Sequence, residues 1–411
     1  MSLRLLSPVS LFVLFVAIVA GVFLWPSRKT IAPGPATVPA EWTRPLDAGE
    51  GSQFAALSPE GGAWFWGAGE RRAEARRLAG AEGLVAVSQS RDHVLALARD
   101  GSVWSWGENG HGQLGHSPDK AGPIRDPEKV PGLADIVRVA AVQGASFALA
   151  RDGTLWGWGR PAWGRFGPGV RETAVRMPIR VPGVSQAIDV AAGADAMLYL
   201  KRDGTVWFWG RLPPVVALAA PAMAVAAPTG ALVMAEEVTE AEPSGRAAEG
   251  APRDRILVPE PVDGLEGIVA IASQAGKGAS FAALGREGGV WAWGDAASAC
   301  AEAPGLLRVP GLDGVKAIAV GLAEVVAISK DGSLWRWSPQ SEGKGASACA
   351  ETAERLAGVE DAVAVAASGS SVVYARADGS LWQWGRAGGA ARAIAPETPL
   401  RISGPIVRRA N

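Results

Sequence analysis

One short phrase is written seven times along the chain. It runs GGAWFWG (61–67), DGSVWSWG (100–107), DGTLWGWG (152–159), DGTVWFWG (203–210), GGVWAWG (288–294), DGSLWRWS (331–338) and DGSLWQWG (378–385). Fourteen of the 17 tryptophans fall in its Trp-x-Trp pairs: Trp64/Trp66, Trp104/Trp106, Trp156/Trp158, Trp207/Trp209, Trp291/Trp293, Trp335/Trp337 and Trp382/Trp384. Repetition on this scale demands stacked, like units. The chemistry of the phrase is that of a β-hairpin. Apolar Phe147–Ala150 leads to the turn residues 151–154 and then to apolar Leu155–Trp158. Asp-Gly, present in five copies, readily takes the positive φ of a tight turn. Trp-x-Trp places both indoles on one face of a strand. Upstream lie further apolar runs (Ile136–Val142, Ala187–Ala192, Val315–Val320) and, before them, Val-Pro-Gly phrases at Val130–Leu133, Val181–Val184 and Val309–Leu312. Each of these phrases starts 28 positions before the second Trp of its pair (130 to 158, 181 to 209, 309 to 337). One repeat is therefore three or four short antiparallel strands, the size of a propeller blade, with the Val-Pro-Gly phrase expected as one of them.

The second copy carries more. GENGHGQLG (Gly107–Gly115) follows DGSVWSWG, and DHVLAL (Asp92–Leu97) precedes it. These residues resemble the repeat of the regulator of chromosome condensation family. Elsewhere only the Gly-x-x-x-Ala-Leu hairpin and the Trp-Gly end survive, and Gln-Leu-Gly occurs at no other place. The resemblance covers residues 41–411 and implies a seven-bladed β-propeller. It does not extend to WD40 repeats, since the chain has no Trp-Asp dipeptide.

The second Trp of each pair falls at 66, 106, 158, 209, 293, 337 and 384, in steps of 40, 52, 51, 84, 44 and 47. The step of 84 contains AVAAPTGALVM (Ala224–Met234), which resembles VAAVQGASFAL (Val139–Leu149). Residues 211–262 are thus either an insertion in a ring of seven or a degenerate eighth blade. The chain's last residues, Thr398–Val407, look like the strand missing before the first copy, so the ring is expected to close by pairing the last strand into the first blade.

Ahead of the blades, Leu5–Trp25 is almost wholly apolar, with no charge between Arg4 and Arg28. Its length suits a bilayer-spanning helix. Ile18 at −3 of a cut after Ala20 fits a cleaved signal poorly, which favours an uncleaved anchor over residues 1–26. Residues 27–40, with Pro33, Pro35 and Pro39, then form a semi-extended linker. The expectation is a single-pass protein of the cytoplasmic (inner) membrane of a bacterium, its propeller in the periplasm or outside the cell.

Composition narrows function. With 40 Lys+Arg against 41 Asp+Glu and a net charge of −1, nothing favours nucleic acid, whose binding leans on cations against phosphate. No nucleophile elbow, phosphate loop or HExxH motif occurs, so neither catalytic residues nor a cofactor is expected. His93, His111 and His116 lack a metal-binding spacing, and no metal site is expected. The Trp pairs serve packing between blades. Trp163 lies outside them and, with Arg165 and Phe166, is the candidate partner surface, since Trp and Arg are enriched at binding hot spots. Cys300 and Cys349 sit in matched SACAE phrases of consecutive repeats and are a candidate disulfide. These features point to a monomeric, non-catalytic scaffold, displayed at the membrane, that binds another protein through its loops. An enzyme acting on cell-envelope polymer (a lyase or hydrolase) is the alternative, which charged side chains converging at the central channel would favour. Nucleotide exchange on a small GTPase, which the resemblance brings to mind, is a third.

Overall fold

In a computed structural model, the described residues are 46–49, 53–57, 62–67, 76–77, 83–117, 122–170, 172–193, 195–211, 255–274, 280–294, 306–322, 324–338, 352–368, 371–378, 380–385 and 400–401. They supply seven four-stranded antiparallel sheets, each built from four consecutive strands. The third sheet is typical: Ile136–Val142, Ala145–Ala150, Leu155–Gly159 and Val175–Arg180. The sheets start at Leu46, Leu84, Ile136, Ala187, Ile268, Val315 and Ala362. Each first strand neighbours the first strand of the next sheet, and Ala362–Ser368 neighbours Leu46–Gly49. The arrangement is an all-β propeller. A single turn of 3-10 helix, Ala162–Gly164, is its only helical element among the described residues.

The strands form where the sequence pattern demands. The second strand of each sheet lies between two others and between neighbouring sheets, so it is mostly apolar and largely buried: His93–Ala98 and Ala145–Ala150 are buried along their whole length. The first strands are Ala- and Val-rich because seven of them must converge. The second Trp of five pairs is core: Trp106, Trp158, Trp209, Trp293 and Trp337 are buried. The first Trp is half-buried and closes the Asp-Gly turn. The Trp104 indole donates to Ser102 Oγ at 3.2 Å, and that hydroxyl donates to Asp100 Oδ1 at 2.6 Å. The same relay joins Trp207, Thr205 and Asp203; Trp335, Ser333 and Asp331; and Trp382, Ser380 and Asp378. Hydrogen bonds from Ser102, Thr205 and Ser329, in that order, are the main reason the carboxyls of Asp100, Asp203 and Asp331 sit below the usual range.

A cation stands opposite the first Trp on the fourth strand. The pairs are Trp64↔Arg77, Trp104↔Lys129, Trp156↔Arg180, Trp291↔Arg308, Trp335↔Arg355 and Trp382↔Arg401. In the fourth sheet the position holds Pro261, and Lys201 of the second strand covers Trp207 instead, its Nζ 3.5 Å from the ring centre.

Two expectations are corrected, after one departure from the repeat: the second Trp is not core in every sheet. Trp384, in the seventh, is only half-buried at the margin of the apolar core. A charged group covers it: the Arg336 guanidinium of the preceding sheet stands 4.8 Å from its ring centre. Trp66 of the first sheet pairs through its backbone with Phe54, and its side chain lies outside the described residues.

The Val-Pro-Gly phrase is a link between sheets and contributes no strand of its own. Val130, Val181 and Val309 each donate a last backbone hydrogen bond to the third strand (to Val103, Leu155 and Val290, all at 2.8 Å) and bury their side chains. Proline then removes the next donor, and glycine turns the chain toward the next first strand. The ring also does not close by strand exchange. Leu400–Arg401 pairs with Gln383 and Trp382 of its own sheet, and the first sheet is complete from Leu46–Gly49 to Arg76–Arg77. The exposed edges are blunted by other means. The longer fourth strands carry Pro127, Pro178 and Pro259, and the rest are only two residues long.

The fourth sheet takes its last strand from Arg255–Pro261, which pairs with Val206–Arg211. Residues 212–254, including Ala224–Met234, lie outside the described residues, as do Leu5–Trp25 and the Pro-rich linker. Among the described residues no helix is long and apolar enough to cross a membrane.

Candidate functional site

Six of the seven third strands end in Trp-Gly, and the described loops that follow them are those after the second and third sheets. Glycine ends the strand because the chain must leave past its own hairpin. Gly107 has φ 117°, and a Cβ there would lie 2.5 Å from the Asp92 carbonyl oxygen.

The loop after the second sheet, 108–117, is held by Asn109, whose carbonyl accepts from the Gly112 amide (3.0 Å) and whose Oδ1 accepts from the Leu114 amide (3.0 Å). It presents the Gln113 carbonyl to the third sheet. That oxygen accepts from the Trp158 indole at 2.8 Å and the Ser146 hydroxyl at 2.7 Å. The Gln113 amide donates to Asp92 Oδ2 at 3.0 Å, and the Gly144 amide donates to the same oxygen at 3.0 Å. Burial alone would raise the Asp92 carboxyl, but the His93 hydrogen bond and charge, with Ser90, outweigh it and hold the group well below the usual range.

His93 lies at the centre of this network. Its Nε2 is 2.7 Å from Ser146 Oγ, and its Nδ1 is 3.1 Å from Asp92 Oδ1 and 2.8 Å from Ser90 Oγ. Serine, histidine and carboxylate in that order are the parts of a hydrolase triad. Here they do structural work. The Ser146 hydroxyl donates to the Gln113 carbonyl, and its contact with His93 Nε2 ties the second sheet to the third. Ser146 is fully buried and His93 2% exposed, so neither side chain is open to solvent. His116 is likewise committed, 3.0 Å from Ser105 Oγ, while His111 is exposed. Among the described residues no group of three or more potential ligands converges on a metal-binding geometry.

The first strands were the place to look for convergent charge. Their charged residues are Asp47, Arg138, Asp189 and Lys316. Asp47 accepts the Gln89 amide at 2.6 Å, and Arg138 pairs with Asp189 at 3.1 Å. Burial lowers the Lys316 ammonium, with Asp331 opposing. The remaining described positions of these strands are overwhelmingly Ala, Val and Ile.

The loop after the third sheet contains the three candidate surface residues, and the structure separates them. Trp163 is 38% exposed, at φ 61°, with the Arg211 guanidinium 4.6 Å above its ring. Phe166 is fully buried, edge-on to Phe147 at 5.5 Å. Its place is made by Gly157, the middle residue of Trp-x-Trp, where a Cβ would lie 2.8 Å from the Phe166 ring. Arg165 is 2% exposed. Neither Arg165 nor Phe166 is exposed, and the reason is positional. Gly164–Gly167 repeats the turn of Gly112–Gly115: Gly167 donates to Gly164 at 2.9 Å as Gly115 does to Gly112 at 3.0 Å. The Trp209 indole reaches the Arg165 carbonyl at 2.9 Å as Trp158 reaches Gln113. GRFG is thus the structural copy of GQLG, and its two middle residues belong inside. Sequence comparison limited to Gln-Leu-Gly missed it; the Gly-x-x-Gly spacing was the available signal. Cys300 and Cys349 lie outside the described residues.

The Regulator of chromosome condensation (RCC1) repeat matches residues 84–113 and 100–149. The E3 ubiquitin-protein ligase HERC2 of Mus musculus is 29% identical over 276 residues, which cover 63% of this chain and 5% of that protein. Protein RCC2 homolog of Danio rerio is 34% identical over 121 residues, 29% of this chain and 24% of that protein. The chain therefore spans only a small part of these relatives. Among solved structures, yeast RCC1 (Prp20) bound to Kap60 superposes with a TM-score of 0.59 at 20% identity, covering 93% of this chain and 90% of that one. Human WBSCR16 gives 0.58 at 20% identity, covering 80% and 86%. Both likenesses concern the fold.

Proposed function

We propose that this RCC1-like repeat protein is a non-catalytic scaffold, a seven-bladed ring that recognises a partner protein on its Trp-Gly face. The observation that carries this reading is how the titratable groups are spent. Asp92, His93 and Ser146 stitch neighbouring sheets together. The turn aspartates cap their own hairpins, and the charged first-strand residues Asp47, Arg138 and Asp189 are bonded within the frame. What differs between sheets is the loops, and a rigid frame with variable loops is the architecture of recognition. Trp163 is a large aromatic left exposed on that face. The apolar run Leu5–Trp25 and the linker behind it support display from a membrane, with the ring outside the cytoplasm.

The relatives support protein recognition by analogy, since one solved relative, yeast RCC1, is described in complex with Kap60. A second reading, nucleotide exchange, draws on relatives named RCC1-like G exchanging factor-like protein. Affinity capture with the full-length chain, after cross-linking, tests the first reading. A specific partner should be recovered, and Trp163→Ala should weaken its recovery. Recovery unchanged by Trp163→Ala would move the binding surface elsewhere. Accelerated nucleotide release from a small GTPase, or turnover of an envelope polymer with no partner captured, would replace the scaffold.

A further inference from the structure

Three backbone hydrogen bonds set the equivalences around the Trp163 loop. The amides of Glu108, Arg160 and Arg211 donate to the carbonyls of Asp92, Gly144 and Asp195. The start of the second strand is therefore Asp92 in the second sheet, Gly144 in the third and Asp195 in the fourth. The indole bonds already equate Gln113 with Arg165. In the second sheet the neutral Gln113 side chain meets the Asp92 carboxylate at 3.0 Å. In the third sheet the chain puts a cation at the Gln position and glycine at the Asp position. The charge is added where its acceptor is taken away.

The result is a buried guanidinium held by neutral groups alone. Arg165 Nε donates to the Ala162 carbonyl at 3.2 Å, and Nη2 to the carbonyls of Arg160 and Gln143 at 3.3 and 3.5 Å. Nη1 is buried and has no hydrogen-bond partner among the described residues. Among the described residues no carboxylate lies within ion-pair distance of it. Burying a charge without a counter-charge is costly, and here burial pulls the guanidinium down to about 10, with Asp195 and Asp92 opposing and Arg160 reinforcing. The cover over it is thin. Gln143 and Arg160 are exposed and Ala162 is half-buried, so the group lies one residue below the surface. Trp163, in the same cover, is held at a φ that bulky residues avoid.

We propose that Arg165, beneath the Trp163 loop, is an anion site that takes a carboxylate side chain of an acidic, partly apolar segment of the partner protein. The inference rests on the scaffold reading and gives its partner a chemistry. A guanidinium fork matches a carboxylate in two parallel hydrogen bonds, which would satisfy Nη1. Arg160 and Arg211 add exposed cations beside it. Trp163, Leu257 (41% exposed) and Val258 (53% exposed) supply apolar contact, and Leu257 packs against Gly164 at the base of the loop. A protein carboxylate is favoured over a nucleic-acid phosphate because the chain has no cationic excess, with 40 basic against 41 acidic residues.

The probe is a synthetic, end-capped peptide alternating Glu and Leu, compared with its Gln–Leu counterpart and with inorganic phosphate, on the full-length chain. The Glu peptide should bind at least tenfold more tightly than the Gln peptide. Arg165→Met should erase that preference, and Arg211→Gln should lower it several-fold. Gly144→Asp, which places a carboxylate at the Asp92-equivalent position beside Arg160, should erase the preference, at some cost in stability because Gly144 has φ 68°; it serves if Arg165→Met does not fold. Equal binding of the two peptides, a preference that survives Arg165→Met or Gly144→Asp, or an Arg165-dependent response to phosphate alone would overturn the proposal. A captured partner sensitive to Trp163→Ala but not to Arg165→Met or Gly144→Asp would leave the scaffold standing and remove this site.

Discussion

Trp158 is the sharpest test of how the ring is held together. It is fully buried, and its indole bridges the third sheet to the loop of the second through the Gln113 carbonyl. Trp158→Ala removes about 150–250 Å² of buried apolar surface, worth about 4–6 kcal/mol at 25 cal/mol per Å². The lost hydrogen bond adds about 0.5–1 kcal/mol, at the low end because the Gln113 carbonyl keeps the Ser146 hydroxyl. Relaxation of the neighbouring loop recovers part, which leaves an expected loss of about 4–5 kcal/mol. Trp158→Phe keeps most of the area and should cost about 2 kcal/mol. The internal control is Trp163→Ala, which forfeits little more than the Arg211 stack, about 0.5–1 kcal/mol. Urea unfolding followed by far-ultraviolet circular dichroism measures all three. A cost below about 1 kcal/mol for Trp158→Ala, or an equal cost for Trp163→Ala, would refute the division of tryptophans into frame and surface.

Glu324 is buried, and burial raises its carboxyl to about 7 with Arg336, 4.0 Å away, opposing. The folded state then keeps its proton longer than the unfolded chain, so stability should fall as pH rises from about 4.5 to about 7 and level off above, by at most about 3 kcal/mol; Glu324→Gln should flatten that slope, and an unchanged slope rejects the assignment. Gly157→Val should cost about 1–3 kcal/mol by driving a side chain into Phe166, and Phe166→Leu should recover part of it; additive losses in urea unfolding would contradict the contact. The matched SACAE phrases predict that denatured, unreduced protein labels with no free thiol, and two free thiols per chain end the Cys300–Cys349 pairing.

Much of the frame was legible because it is enforced locally and repeatedly. Asp-Gly, the alternating hairpin flanks and Trp-x-Trp each dictate their structure within a few residues, so the propeller followed directly; that the second indole of a pair is the more buried did not. Features that depend on what lies opposite were not legible. Trp384 carries the same phrase as its counterparts, yet it is half-buried under Arg336, a residue of the neighbouring sheet. That Val-Pro-Gly links sheets instead of forming a strand follows from its valine bonding to the third strand of the preceding sheet, a register no single repeat displays. The cation facing the first Trp is separated from it by loops of unequal length, as Trp104 from Lys129 and Trp335 from Arg355. Arg165 and Phe166 were read as surface because Trp163, Arg165 and Phe166 are adjacent in sequence; the Gly-x-x-Gly turn sends the first outward and the other two inward.

The comparison of the second and third sheets shows where specificity can arise in such a frame. Every sheet carries the hairpin and the two indoles, and all but the sixth a glycine exit; these positions tolerate little change. The start of the second strand and the turn that receives the next sheet's indole are under a weaker constraint, because the indole asks only for a backbone carbonyl. Gln113 and Arg165 both provide one. Their side chains can therefore differ between sheets while the indole bond is kept. Substitution at this pair changes the charge just beneath the Trp-Gly face while the packing above and below stays fixed. A propeller can in this way acquire a buried, directed cation while its hairpins and indole bonds stay in place; the uncompensated charge is what costs, and that makes the third sheet the place to look for a ligand.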